Sequence, residues 1–213
     1  MSTSDAHASA PGRYLSPTPD RLSGDQAEVY DAIANGPRAS QKSLVPVVDD
    51  DGRLLGPFGL MAIAPRLGAA VQEVGAAIRF HGTFAAIDRE LAILVVATHH
   101  RCDFEWFAHV EAARAAGLTD PQLAAVLAGT PPNGLTPTGS AVWHAAHTLM
   151  TAGALDDDAY RAATAALGEA GLAELVWLCG YYGMLALALA AFDPELPPAA
   201  RGAFARAADE LGG

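Results

Sequence analysis

The chain has 213 residues, of which 51% are hydrophobic and 17% charged. It is long enough to bury a substantial core, either in one domain or in two small halves that share a core. Its formal net charge is −11, with 24 acidic residues against 13 lysines and arginines, and a surface of that sign repels phosphate backbones and argues against nucleic-acid binding.

The N-terminal part of the chain is polar and then turns amphipathic. Residues 1–22 contain no apolar run of the kind that a secretory signal needs, so we predict a disordered tail there. A first helix is predicted over residues 22–34, with Ser23 or Asp25 as its cap. The segment 44–58 carries short β-prone pieces around an Asp-Gly turn, which predicts a small extended arm or hairpin.

From residue 59 onward the pattern is helical almost throughout. Proline, glycine and threonine mark the helix ends, with Gly117 closing one helix and Thr119 capping the next. The predicted helices are 65–80, 86–99, 103–116, 119–127, 140–152, 156–167 and 171–192. The chain is therefore predicted to be all-α, with a helical domain over 23–198 and a C-terminal tail or short helix over 199–213.

The longest uncharged apolar run, residues 175–192, raises the question of a membrane span. Glycines and tyrosines interrupt the run, which favours a buried core helix and no membrane partner. The chain has two cysteines, Cys102 and Cys179, in dissimilar contexts. They suggest no disulfide framework, so we expect a cytoplasmic protein.

Four reactive side chains lie within twenty positions of one another: Glu90, Cys102, Glu105 and His109. The last three follow the spacing i, i+3, i+7, which places side chains on one helix face. Cys102 directly precedes the predicted helix 103–116, whose dipole would lower the thiol pKa and favour the thiolate. A buried structural cysteine is the alternative interpretation.

Glu105 and His109 are four positions apart, so the carboxylate is predicted to orient the imidazole as a general acid or base. The alternative is an exposed helix pair that contributes about 0.2–0.5 kcal/mol. Glu90 opens the apolar run 91–97, where a carboxylate is costly unless it is paired or lies in the first turn of a helix. If Glu90 is buried against His109, we expect its pKa to rise and the group to assist proton transfer.

Aromatic and histidine side chains around this cluster are predicted to contact the substrate. They are Phe58, His99, Trp106, Tyr181 and Tyr182. A metal site built from His99, His100 and His109 with the nearby carboxylates is an alternative, but no diagnostic ligand spacing is present. We therefore predict no metal ligand.

The spacing of the reactive cluster resembles that of the carboxymuconolactone decarboxylase family, which includes the alkylhydroperoxidase D-like proteins. The peroxidase branch carries Glu, eleven residues, Cys-x-x-Cys, three residues and His. This chain reproduces that spacing, with Glu105 in place of the second cysteine. Gly56-Pro57-Phe58 and Gly180-Tyr181-Tyr182 also resemble a long single-chain branch. The resemblance covers about residues 45–195 and implies an all-helical fold that assembles as trimers or hexamers, with sites near subunit contacts.

The exchange at Glu105 bears on the activity that the resemblance implies. Peroxidase chemistry in the family uses two thiols, one that attacks and one that resolves. A cofactor-independent decarboxylase-like reaction on a small organic acid or lactone suits the remaining groups better. There His109 is the acid and base, with Glu90 assisting and Cys102 shaping the pocket. A thiol-dependent peroxidase-like redox protein and a non-catalytic helical oligomer are the alternatives.

Overall fold

Helices make up most of the computed structural model, which describes residues 12–36 and 46–211. This described part contains nine α-helices: α1 Gly24–Ala34, α2 Pro57–Ile63, α3 Pro65–His81, α4 Ala86–His100, α5 Asp103–Ala116, α6 Asp120–Leu127, α7 Pro137–Ala152, α8 Asp157–Phe192 and α9 Ala203–Leu211. Across the same residues no strand forms, and only two isolated bridges pair extended backbone. The all-α prediction is confirmed.

Local signals in the sequence set several helix ends. Ser23 and Gln26 form a capping box at the start of α1, as Thr119 and Gln122 do at the start of α6. Gly117 takes the left-handed conformation, with φ 115°, and ends α5. These ends agree with the predicted ones because short-range hydrogen bonds decide them.

Two helices begin earlier than predicted. α2 begins at Pro57 and α7 at Pro137, because proline is well suited to the first helical turn. The two helices predicted over 156–167 and 171–192 are confirmed, since they follow each other within α8 and the backbone at Gly168, with a φ of 72°, is not helical. Glycine alone adopts that backbone without strain.

The arm before α2 is a small hairpin. The backbone N–H of Leu55 donates to the Val47 carbonyl at 2.9 Å, and the Asp49 carboxylate accepts from the backbone of Arg53 at 2.7 Å. Val48 and Leu54 form an antiparallel bridge across the turn. The hairpin prediction is confirmed from residue 46 onward, whereas residues 44 and 45 lie outside the described residues.

The predicted tail 1–22 is ordered from residue 12 onward, which differs from the prediction. The Tyr14 carbonyl accepts from the backbone N–H of Glu195 at 3.0 Å, and Ser16 is buried. Backbone pairing with the segment after α8 holds this stretch in place, a long-range contact that composition does not reveal. Residues 1–11 lie outside the described residues.

α4 is the central helix of the fold. Its residues Leu91–Ala97 are buried on every side, because α5, α7 and α8 all pack against it. α9 packs against α5 and α6, so a short helix, one of the two outcomes predicted for the C-terminal segment, forms over residues 203–211. The site described below lies on α4 and α5, at the middle of this arrangement.

One face of α8 is buried and the opposite face is exposed. Leu175, Leu178 and Leu185 lie in the core, whereas Trp177 is 69% and Leu187 is 62% exposed. α8 is long and apolar enough to cross a membrane by length and composition alone, and 44% of the apolar window is buried. The predicted core helix therefore has a second, exposed apolar face.

Candidate active site

A two-residue turn between α4 and α5 brings distant residues together. Arg101 adopts the left-handed conformation, and the N–H of Cys102 donates to the Ala97 carbonyl at 2.9 Å. This is the hydrogen bond of a Schellman helix end. The turn folds α5 back onto α4, so Glu90 meets His109 although 19 positions separate them.

His109 lies between two carboxylates. Its Nδ1 is 2.7 Å from Glu90 Oε2, and its Nε2 is 3.5 Å from Glu105 Oε2. All three residues are buried, with Glu90 2% and Glu105 3% exposed. Because the shorter contact holds Nδ1, Glu90 fixes the orientation of the ring, and Nε2 faces Glu105.

Two opposing effects act on the Glu90 carboxyl. Burial raises its pKa, but the hydrogen bond and charge of His109, together with Arg89 and Arg79, outweigh burial and leave the pKa lowered. The Arg89 Nη2 atom lies 3.3 Å from Glu90 Oε1. Glu90 is therefore held as a carboxylate, and the predicted rise of its pKa is wrong because His109 and the two arginines offset its burial.

Glu90, Glu105 and His109 line a cavity of about 430 Å³. That volume is in the range of small-molecule sites, about 300–1,000 Å³. Its walls come from the arm and from α2, α3, α4, α5 and α8. The charged and aromatic lining residues are Phe58, Arg79, Arg89, Glu90, Phe104, Glu105, His109, Glu111, Tyr181 and Tyr182.

Comparison with known proteins shows what the segment around this site is similar to. A sequence profile of the carboxymuconolactone decarboxylase family matches residues 65–148, the stretch that holds Glu90, Glu105 and His109. Over this segment the chain is similar to the carboxymuconolactone decarboxylase family.

Among solved structures, the apo crystal structure of the debrominase Bmp8 is similar in fold. The identity is 14%, the TM-score is 0.64, and the match covers 86% of this chain and 92% of that one. Comparison with curated proteins gives no match. The fold is therefore established, and the reaction has to be argued from the site.

Six of the nine residues predicted for the site line the cavity: Phe58, Glu90, Glu105, His109, Tyr181 and Tyr182. The Tyr182 ring meets the His109 ring edge to face, with centroids 5.2 Å apart. Burial, with a smaller contribution from the charge of Glu105, raises the Tyr182 pKa well above 10. The Tyr182 hydroxyl is thus a neutral hydrogen-bonding group beside the His109 imidazole.

Cys102 does not line the cavity. It is the N-cap of α5, with φ −85° and ψ 106°, so its side chain leaves the helical face that Glu105 and His109 share. The thiol packs instead in a small apolar cluster with Ala186 and Leu189. Burial raises its pKa to about 12, and the charge of Glu105 adds to the rise. The predicted lowering of the Cys102 pKa is wrong because desolvation outweighs the helix terminus.

Trp106 and His99 also lie away from the cavity. Trp106 is 1% exposed in the main core and meets Phe204 edge to face, with centroids 5.9 Å apart. His99 is exposed near the end of α4 and stacks edge-on against His100. Within residues 12–36 and 46–211, no group of three His, Cys, Asp or Glu side chains is arranged to hold a metal ion.

Two cavity residues, Arg79 and Arg89, are not among the predicted site residues. Arg79 lies near the end of α3, and no motif links it to the cluster on α4 and α5. A clue was available for Arg89, since it directly precedes Glu90 in the stretch that resembles the family. The two arginines supply the positive charge of the cavity wall.

Proposed function

We propose that this chain is a carboxymuconolactone decarboxylase-like enzyme that applies acid–base chemistry to a small organic acid or lactone. His109 is the proton donor and acceptor. The observation that carries the proposal is the imidazole on the cavity wall, held between Glu90 and Glu105 at 2.7 and 3.5 Å. Proton transfer by a positioned side chain contributes about 10²–10⁴-fold to a rate. The reaction as written needs no cofactor.

The roles of the two carboxylates are assigned from the contacts of His109. Glu90 accepts the Nδ1 proton and keeps the ring in one tautomer, the role that the sequence analysis gave to Glu105. The His109 Nε2 atom is left for proton transfer, and the Glu105 carboxyl group lies beside it. The Tyr182 hydroxyl, neutral at physiological pH, is available to hydrogen-bond a developing enolate oxygen.

A decarboxylation in this site is balanced without a further reactant. The bond between the substrate carbon and its carboxylate breaks, CO₂ leaves, and the bonding electron pair stays behind as an enolate. The enolate carbon then takes a proton from His109 Nε2. His109 regains a proton from water before the next turnover.

The state of Cys102 supports acid–base chemistry over thiol chemistry. The nucleophile in peroxide reduction is the thiolate, and a pKa of about 12 leaves very little of it at neutral pH. Cys179 is buried as well, and burial raises its pKa to about 12. No observation at either thiol favours the peroxidase-like alternative.

The test measures CO₂ release from carboxymuconolactone and a set of β-keto acids. We expect His109→Gln to lower turnover by about 10²–10⁴-fold, because it removes the proton donor. His144→Gln is the matched control, since His144 is exposed on α7 and outside the cavity lining. Turnover by His109→Gln equal to that of wild type would refute the role of His109. Peroxide consumption that depends on Cys102 would instead favour the redox alternative.

We also propose that the chain assembles as a homo-oligomer through the exposed face of α8, here called the α8 stripe: Val176, Trp177, Gly180, Met184 and Leu187. Between residues 175 and 192 the chain carries no charged side chain, although its net charge is −11. Two such acidic copies repel each other least where their surfaces are uncharged. A Cβ at Gly180 would meet no atom within 4 Å, so a second helix has room to approach there.

The assembly proposal is tested by measuring mass in solution with light scattering after size exclusion. We expect an oligomer for wild type and a monomer for Trp177→Glu and Leu187→Glu, because a buried unpaired charge is costly. Tyr160→Glu changes an aromatic residue that is 48% exposed and lies outside the α8 stripe, and we expect this variant to stay oligomeric. A monomeric wild type that floats with phosphatidylcholine vesicles would overturn the proposal in favour of a membrane contact.

A further inference from the structure

Positive charge is scarce in this protein but present on the wall of its cavity. The chain has 13 lysines and arginines against 24 acidic residues. Two of the arginines, Arg79 from α3 and Arg89 from α4, line the cavity that holds His109. Two separate helices therefore direct guanidinium groups to the space where the proposed chemistry takes place.

Arg89 lines the cavity and is only partly committed to Glu90. Its Nη2 contacts Glu90 Oε1 at 3.3 Å, whereas its Nε is buried out of reach of solvent and has no hydrogen-bond partner among the described residues. A guanidinium group carries five N–H donors, and the single contact with Glu90 uses one of them. Its outer N–H groups are therefore the ones that can meet an oxygen-rich ligand in the cavity.

Arg79 strengthens the same region electrostatically. Its charge favours a lower pKa for both Glu90 and Tyr182, and all three residues line the same cavity. Guanidinium groups recognise carboxylates through a planar fork of N–H donors, which an ammonium group lacks. A carboxylate bound by both arginines would lie beside the imidazole.

We propose that Arg79 and Arg89 form a subsite that binds a carboxylate of the substrate and positions the reacting carbon next to His109. The inference rests on the proposed function and deepens it, because it favours an anionic organic acid over a neutral lactone or ester. Arg89 donates through its outer N–H groups to the bound carboxylate and keeps its contact with Glu90. Both arginines are positioning residues, and His109 transfers the proton.

The test compares acids with their neutral amides. Benzoate, succinate and adipate are titrated against wild type by saturation-transfer NMR, beside benzamide, succinamide and adipamide. We expect at least one acid to bind more tightly than its amide, and Arg79→Gln or Arg89→Gln to weaken that acid about tenfold or more. Amide binding should be unchanged. Arg89→Lys should lose part of the affinity, since it keeps the charge without the fork.

Controls separate the subsite from folding and from the proposed reaction. Arg161→Gln removes an exposed arginine that pairs with Asp158 on α8, and we expect wild-type affinity for the acids. Melting temperatures of all variants identify those that fail to fold, in which case Arg89→Lys carries the test. Acids that bind no better than amides, or that bind equally to the folded arginine variants, overturn the subsite.

The failure of one proposal is distinguishable from the failure of the other. His109→Gln should keep acid binding and lose turnover. If His109→Gln keeps turnover while the arginine variants lose acid binding, the proton-transfer role fails and the subsite stands. If the arginine variants bind acids normally while His109→Gln is inactive, the subsite fails and the proposed function stands.

Discussion

Replacing Glu90 by glutamine removes a charge and leaves the shape of the side chain almost unchanged. The Glu90–His109 contact is a charged hydrogen bond of 2.7 Å between buried groups, a type that contributes about 1.5–3 kcal/mol. The glutamine oxygen still accepts from Nδ1 in a neutral hydrogen bond of about 0.5–1.5 kcal/mol. We therefore expect Glu90→Gln to lower the free energy of unfolding by about 1–1.5 kcal/mol at pH 7.

Thermal unfolding followed by circular dichroism measures this loss. For a chain of this length, about 2–4 °C corresponds to each kcal/mol, so we expect a decrease of about 2–6 °C in the melting temperature. Protein concentration is held fixed, because assembly would add to the apparent stability. Glu111→Gln is the matched control. Glu111 also lines the cavity, but its side chain is 51% exposed and pairs with Arg114 at the surface, where a pair contributes little.

Acidification provides an independent check on the same contact. The Glu90 pKa is lower in the folded protein than its value of 4.5 in the unfolded chain. The Glu90 carboxylate therefore stabilises the fold above pH 4.5, and this stabilisation is lost as the pH falls through the Glu90 pKa of the folded protein. The difference between wild type and Glu90→Gln should therefore shrink below about pH 4.5. Three results would refute this reasoning. They are a melting temperature of Glu90→Gln equal to that of wild type at pH 7, an equally large decrease for Glu111→Gln, and a difference between wild type and Glu90→Gln that grows at acidic pH.

Further predictions concern a thiol and a glycine. Cys102 should react slowly with a disulfide reagent from pH 7 to 9 in the native state and rapidly after unfolding, because burial raises its pKa to about 12. The reaction is followed by the absorbance of the released thiol. Rapid labelling of the native protein would contradict the burial of Cys102. Gly56→Ala should lower the free energy of unfolding in urea by about 1–3 kcal/mol, because φ at this position is +56° and a Cβ would lie 2.6 Å from the Phe104 ring. Gly24→Ala, where a Cβ meets no atom within 4 Å, should stay within about 0.5 kcal/mol of wild type.

Sequence reasoning was most successful where short-range chemistry decides the structure. The helix from 103 to 116 and its stop at Gly117 were predicted to the residue, since a left-handed glycine and the following Thr119 cap are local signals. The pairing of Glu105 with His109 was also foreseen, because four positions on a helix bring side chains together. The shorter contact of His109 is with Glu90 and depends on the turn at Arg101. The sequence therefore did not predict that Glu90 orients the imidazole.

Cys102 shows why helical spacing has a limit. The spacing i, i+3, i+7 describes side chains that all belong to the helix, yet Cys102 is the residue before its first turn and has extended dihedral angles. Its thiol therefore points away from the stripe that Glu105 and His109 form. Arg79 could not be predicted for another reason, since only the packing of α3 against α2 and α8 brings it to the cavity.

The last helix of the chain holds the turn on which the site depends. The carboxylate of Asp103 accepts hydrogen bonds from the backbone N–H groups of Gly202 and Phe204, at 2.7 and 3.0 Å. The Phe204 ring lies against the guanidinium of Arg101 and the indole of Trp106. During synthesis these contacts form only after residues 202–204 have left the ribosome, although α4 and α5 emerge about a hundred residues earlier. A nascent chain that already contains Glu90, Glu105 and His109 thus still lacks the contacts of Gly202 and Phe204 that hold the turn between α4 and α5.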